Sequence, residues 1–177
     1  EHDLRIKIVQ DVGAFINANS IVMEVWADQT PDDELQALLR GCFVVGQSPT
    51  EDQNLLFIVQ QLVEMTARAL SPGVNDPYTA INCLNWLYAG LSTASNYRGG
   101  LQSGSSGRVW SKSLSFDDIF HDGIVLSYPY VEKDALTHGH LEDILKRLVS
   151  ELKPSTDSQI VADFIDKMNV SEREIAQ

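Results

Sequence analysis

The sequence is short of positive charge. Thirteen lysines and arginines stand against 25 aspartates and glutamates, a formal net charge of −12 at pH 7 over 177 residues. A field of that sign repels phosphate, and no run of Lys and Arg makes a local basic footprint, so nucleic acid is not an expected partner. The same deficit argues against docking on anionic lipid headgroups through a basic patch. Cysteine is scarce: Cys42 and Cys83 both sit in apolar helical patterns and are expected as small buried side chains. A single disulfide between them stays open, and their spacing fits no zinc or redox motif, so neither metal nor cofactor is expected.

Long hydrophobic runs are missing as well. Residues 77–97 carry no Asp, Glu, Lys or Arg, but Pro77, Thr79, Asn82, Asn85 and Gly90 interrupt them. A spanning helix needs about 20 predominantly apolar residues. Catalytic motifs are lacking in the same way: there is no G-x-S-x-G, no phosphate-cradling glycine loop and no C-x-x-C. His138 and His140, two apart, face different directions on a helix, and His121 beside Asp122 is adjacency without a nucleophile. No catalytic residue is therefore assigned, and the reading is non-enzymatic. What is present is an ordinary globular mixture, 44% hydrophobic with 11 glycines and six prolines, which excludes a disordered, collagen-like or low-complexity chain. The chain opens on Glu1-His2-Asp3-Leu4 without an initiator Met, which reads as a piece cut from something longer.

The pattern predicts a mainly α (α+β) domain: a helical core with a small N-terminal β-hairpin layer. Over Leu4–Ala27, Leu4, Ile6 and Ile8 alternate with Arg5 and Lys7, Gly13 breaks the run, Asn17-Ala18-Asn19 supplies turn residues, and Ile21–Trp26 is a second strand. Residues 1–30 are thus a small β element and 31–177 a helical domain, one compact unit overall with a flexible Ser/Gly loop at about 95–107. Helices are expected over Asp32–Val44, from a Ser48-Pro49-Thr50-Glu51 start to about Leu70, and over Pro77–Ser92. The second has so narrow a polar stripe that it is expected at the centre of the domain, paired with the third as the core. Arg108–Leu114 reads as a short strand. Ser115-Phe116-Asp117-Asp118 restarts a helix, Tyr128-Pro129-Tyr130 reads as a break, Leu141–Leu152 is amphipathic, and a last helix follows Pro154.

One segment is conspicuous: Arg68-Ala69-Leu70-Ser71-Pro72-Gly73-Val74-Asn75-Asp76-Pro77-Tyr78-Thr79-Ala80. It reads as a tight helix–loop–helix corner. Gly73 is free to turn left-handed after a helix end, Pro72 forbids continuation, and Asn75 or Asp76 caps a helix with Pro77 in its first turn. Two readings stay open. In one, the polar groups satisfy the backbone at two helix ends. In the other, Arg68, Ser71, Asn75, Asp76 and Thr79 hold a small anion, or Asp76 with Glu64 a cation, as a regulatory site or as part of an active site.

That run closely resembles the signature of a bacterial family of predicted membrane proteins known as domain of unknown function two-two-five-four, A-L-S-P-G-[IV]-N-D-P-[FY]-T-A, and matches it throughout. Gly13-Ala14-Phe15-Ile16 with Ile21 and Val25, and Gly107-Arg108-Val109 with Ser115-Phe116-Asp117-Asp118, resemble flanking parts of the family. The chain departs from the pattern where Ala14 and Asn19 replace an expected Asp and Gly, and at Pro49 and Asn54. The family's proteins begin with several membrane-spanning helices, so the resemblance implies the soluble C-terminal portion of a membrane protein. It further implies membrane association of the intact protein, on a side left undetermined. The expected partner is then its own transmembrane region, and a homo-oligomer is a further possibility, with a role in assembly or in sensing and gating. The resemblance supplies no reaction.

Overall fold

The structure is a computed structural model that describes residues 3–48, 50, 54–95 and 107–175. It is mainly helical with one small sheet, as the pattern predicts. The chain divides into two compact units, Glu1–Phe57 with Gly99–Leu114 and Ile58–Arg98 with Ser115–Gln177. The β element of residues 1–30 therefore shares its unit with the first helix and the third strand. Most of the expected Ser/Gly loop, 96–106, lies outside the described residues.

In the first unit, β1 (Arg5–Ile8) pairs antiparallel with β2 (Met23–Trp26), with Arg5 opposite Trp26, Ile6 opposite Val25, Lys7 opposite Glu24 and Ile8 opposite Met23. On its other side β1 takes a parallel neighbour, β3 (Val109–Trp110), in the order β2-β1-β3. The strand expected over 108–114 is thus only two residues long. Alternation turns Ile6, Ile8, Met23 and Val25 toward one face, where they are half-buried, and the charged positions toward the other. Gly13, at φ +83, takes the left-handed turn between the strands. The helix α1 (Asp33–Gly41) starts at Asp32, whose carboxylate accepts from the Leu35 amide at 2.8 Å. It stops before Val44 and buries only Leu39. Cys42, expected inside, is exposed: it follows the helix end with little packed over it. Cys83 is buried as expected, and both thiols are free.

Helix α2 (Leu55–Ala69) begins seven residues after Ser48. Its cap is Asn54, whose side-chain oxygen accepts from the Phe57 amide at 3.1 Å, while Pro49 and Glu51 lie outside the described residues. α2 is not the central helix. It buries Val59, Thr66 and Ala69, and leaves Leu55, Ile58 and Met65 exposed. The apolar count around a helix measures what it can bury, and only one of its faces is covered here.

The centre of the second unit belongs to α6 (Ala135–Glu151), which packs against both α3 (Pro77–Ala94) and α7 (Thr156–Ile175). Leu141, Ile144, Leu145 and Leu148 of α6, with Leu84, Leu87 and Leu91 of α3 and Val161 and Met168 of α7, form the core. Phe120 meets Phe164 edge-on at 5.5 Å, as does Tyr128. Against α3 and α7 packs α4 (Phe116–Phe120), opened by a reciprocal Ser115–Asp118 capping box. A π-helical turn, His121–Val125, continues it into α5 (Leu126–Val131). The expected break at Pro129 does not occur. Pro129 lies inside α5, and the chain turns only between Val131 and the Asp134 cap of α6. A 129 N–H would have reached Ile124 in π geometry or Val125 in α geometry, and Pro lacks it. The buried Ser127 hydroxyl is shared between the Gly123 and Ile124 carbonyls at 2.7 and 3.0 Å, so the Ile124 carbonyl, which a 129 N–H would meet in π geometry, keeps a donor inside the helix. Among the described residues, no helix is long and apolar enough to cross a membrane.

Candidate functional site

The corner between α2 and α3 forms because the chain satisfies itself there. Leaving α2, the Ser71 amide and hydroxyl both donate to the Arg68 carbonyl at 3.2 and 2.7 Å. The Val74 and Asn75 amides then donate to the Ser71 carbonyl at 3.0 Å, and the Asp76 amide reaches back to Ala69 at 2.8 Å. The left-handed residue is Asn75, at φ +47, not the expected Gly73. Asn is the non-glycine residue best able to stand there, because its short amide side chain tolerates the conformation. Asp76 caps α3, accepting from the Thr79 amide at 3.1 Å and the Thr79 hydroxyl at 2.5 Å. That hydroxyl first, then the Thr79 and Tyr78 amides, hold the Asp76 carboxyl below its ordinary pKa of 3.8, against a smaller opposing effect of burial.

The five proposed site residues thus meet at one corner but differ in what they offer. Ser71, Asp76 and Thr79 are half-buried and engaged in local bonds, whereas Arg68 and Asn75 are exposed. Among the described residues, no group of three or more His, Cys, Asp or Glu side chains is placed to hold a metal ion, and the pair Glu64 and Asp76 belongs to none.

Two measurable consequences follow from this geometry. Asn75→Ala should cost about 1 kcal/mol in urea unfolding, the penalty of a Cβ in a left-handed position without the Asn advantage, while Asn75→Gly should not destabilise. Asp76 should make stability pH-dependent with a definite sign. A carboxylate whose folded pKa is depressed stabilises fully above its unfolded pKa, and that contribution is lost as pH falls from about 3.8 through the lower folded value. Thr79→Ala removes the largest cause of the depression and should flatten that acid limb, read as unfolding midpoint against pH.

A second feature lies on α3 itself. Its inner side feeds the core, and its edge is tied to α6 by polar contacts. His140 Nε2 lies 2.8 Å from Asn85 Oδ1, Tyr88 donates to Glu151, and the Arg147 guanidinium sits 6.0 Å from the Tyr88 ring centre. The Glu151 hydrogen bond is the main cause that raises the Tyr88 pKa. The remaining side carries Tyr78, Asn82, Trp86, Ala89 and Thr93, spaced at one helical stripe and all exposed. Tyr78 is 71% and Trp86 69% exposed, on a helix without a single Asp, Glu, Lys or Arg. The expectation that this helix belongs to the core therefore holds for one side of it only. Of the other histidines, His138 sets its ring 6.0 Å from that of Tyr128 at a tilt of 48°, and His121 lies 3.1 Å from Asp122.

A third feature escaped sequence reading altogether. On the outer face of the sheet, Arg5 and Lys7 of β1 lie between Trp26 of β2 and Trp110 of β3. Alternation marks Arg5 and Lys7, but nothing local to either segment announces that residue 110 will lie beside residue 7.

Residues 1–147 match a family described as Predicted membrane protein (DUF2254). Among curated proteins the chain is similar to uncharacterized protein Rv1290c of Mycobacterium tuberculosis strain H37Rv and to uncharacterized protein Mb1321c of Mycobacterium bovis. Each is 34% identical over 87 residues, which are 46% of this chain and 16% of the relative. The chain therefore spans about a sixth of the length of these relatives. No solved structure matches it.

Proposed function

The chain belongs to the DUF2254 family of predicted membrane proteins, and on that premise we propose that it is a non-enzymatic domain standing outside the bilayer that holds copies of the membrane protein together. Through such contacts it would relay or gate changes in the membrane part. The observation that carries this reading is the uncharged, aromatic stripe of α3 with Trp86 and Tyr78 exposed. At a net charge of −12, two copies repel wherever their surfaces carry that charge. A face free of charge is where like copies approach at least cost, and interfaces are rich in Trp and Tyr at their centres. Sedimentation equilibrium over a wide concentration range tests it. The chain should associate, and Trp86→Glu should return it to monomer while far-UV circular dichroism stays unchanged. A strictly monomeric chain at all concentrations contradicts the reading.

A second reading places a small ligand or ion at the 71–79 corner, with Arg68, Ser71, Asn75, Asp76 and Thr79 as contacts, in a regulatory or enzymatic role. It is favoured by the exposed Arg68 and Asn75 side chains on a backbone held left-handed at Asn75. A thermal-shift screen of phosphate, carboxylates, nucleotides and divalent ions decides it. A true ligand stabilises by about 2.7 kcal/mol at a hundredfold excess over its dissociation constant, and no shift from any compound contradicts a site there.

A further inference from the structure

We propose that the outer face of the three-stranded sheet docks on an anionic phospholipid surface. The face is assembled by register. Arg5 lies opposite Trp26 and Lys7 opposite Glu24, while Trp110 lies beside Lys7 from the other side. Arg108, two residues before Trp110, reaches Asp3, two residues before Arg5, at 3.1 Å. Two acids of this face are thus ion-paired, Glu24 with Lys7 at 3.6 Å and Asp3 with Arg108. Arg5 is exposed and has no ion pair among the described residues. Lys112 is exposed two residues beyond Trp110, and Asp28 lies beyond the end of β2. Trp26 is 50% and Trp110 44% exposed.

Over the whole chain acids outnumber cations nearly two to one, yet on and beside this face four cations, Arg5, Lys7, Arg108 and Lys112, stand against three acids, Asp3, Glu24 and Asp28. Indole rings beside cations suit the headgroup layer, because Trp is amphipathic and settles at the membrane–water boundary while Lys and Arg are drawn to anionic lipid. Single-stranded nucleic acid would ask for a longer track of cations along a groove. A bilayer is at hand for a member of a predicted membrane protein family. The expectation that the acidic chain has no basic footprint is revised here, since strands a hundred residues apart in sequence supply one jointly. This inference is independent of assembly through α3.

The test uses the 177-residue chain with Trp86→Phe, so that Trp26 and Trp110 are its only indoles. It is mixed with phosphatidylcholine vesicles, with or without phosphatidylglycerol, and separately with a single-stranded oligothymidylate. Blue-shifted emission and co-sedimentation are expected with phosphatidylglycerol vesicles alone, weakening as salt rises. Arg5→Gln should lower the vesicle partition coefficient about fivefold, the contribution of one cation near such a surface, and Arg5→Lys should restore most of it. No shift with phosphatidylglycerol vesicles overturns the proposal. So does unchanged binding by a folded Arg5→Gln chain, preference for the oligonucleotide, or a shift that tracks protein concentration rather than lipid.

Discussion

Leu84→Ala is expected to destabilise the chain by about 2–5 kcal/mol in urea unfolding, whereas Trp86→Ala, two residues along the same helix, should change monomer stability by less than about 0.5 kcal/mol. Leu84 is wholly buried in the α3–α6–α7 core, while Trp86 is 69% exposed. Removing the Leu84 branch loses its transfer from water and leaves a cavity that neighbours at 0–3% exposure, such as Leu87, Leu91 and Ile144, cannot readily fill. The Trp86 indole meets mainly solvent in the single chain, so its truncation leaves no void. Equal losses at the two positions would mean that α3 is turned about its axis, with Trp86 inside.

Gly123→Val is expected to cost about 1–3 kcal/mol, with Gly123→Ala close to neutral. A Cβ at Gly123 would stand 3.0 Å from Leu87 Cδ2 and 3.3 Å from Val59 Cγ1. Both are ends of side chains, so a single methyl can be met by small shifts, and Ala also restricts the unfolded chain more than Gly does. The branched side chain of Val has no such room, because Leu87 is itself 2% and Val59 6% exposed. The same packing explains how α2 is fastened: Val59 lies against the π-helical turn at Gly123, and the buried Thr66 stands close enough to the buried Cys83 of α3 to offset part of the rise that burial gives its thiol pKa. Chemical denaturation of the two variants side by side reads the difference.

Much of the helical pattern was legible because burial leaves a period. The α6 face of Leu141, Ile144, Leu145 and Leu148 was read correctly, and its outer pair Glu142–Lys146 forms an ion pair at 2.6 Å. The helix start at Ser115 was likewise announced by its first-turn acids, though not the reciprocal capping box that Asp118 makes there. What failed were inferences from apolarity without a partner. α2 looked central because nearly every position around it is apolar, yet apolarity does not say which faces meet another helix. The whole of α3 looked like core for the same reason, although one side of it, with Trp86 and Tyr78, is exposed. Pro129 looked like a break because the hydroxyl that compensates for it, Ser127, carries no mark of that role in sequence. At the corner the residues were legible and their bonding was not. Which residue turns left-handed, Gly73 or Asn75, depends on where the Asp76 amide finds its acceptor, Ala69. The sheet face was invisible because the parallel pairing of β1 with β3 is a long-range contact without a local signal.

In the proposed assembly α3 meets α3 of a second copy. A spin label on Asn82→Cys, in a Cys42→Ser chain whose remaining Cys83 is buried, reports that meeting directly, since Asn82 lies on the exposed stripe between Tyr78 and Trp86. Dipolar broadening should appear as protein concentration rises and vanish when Trp86→Glu is added. A spectrum free of broadening at concentrations where sedimentation shows association would place the contact elsewhere and contradict assembly through α3.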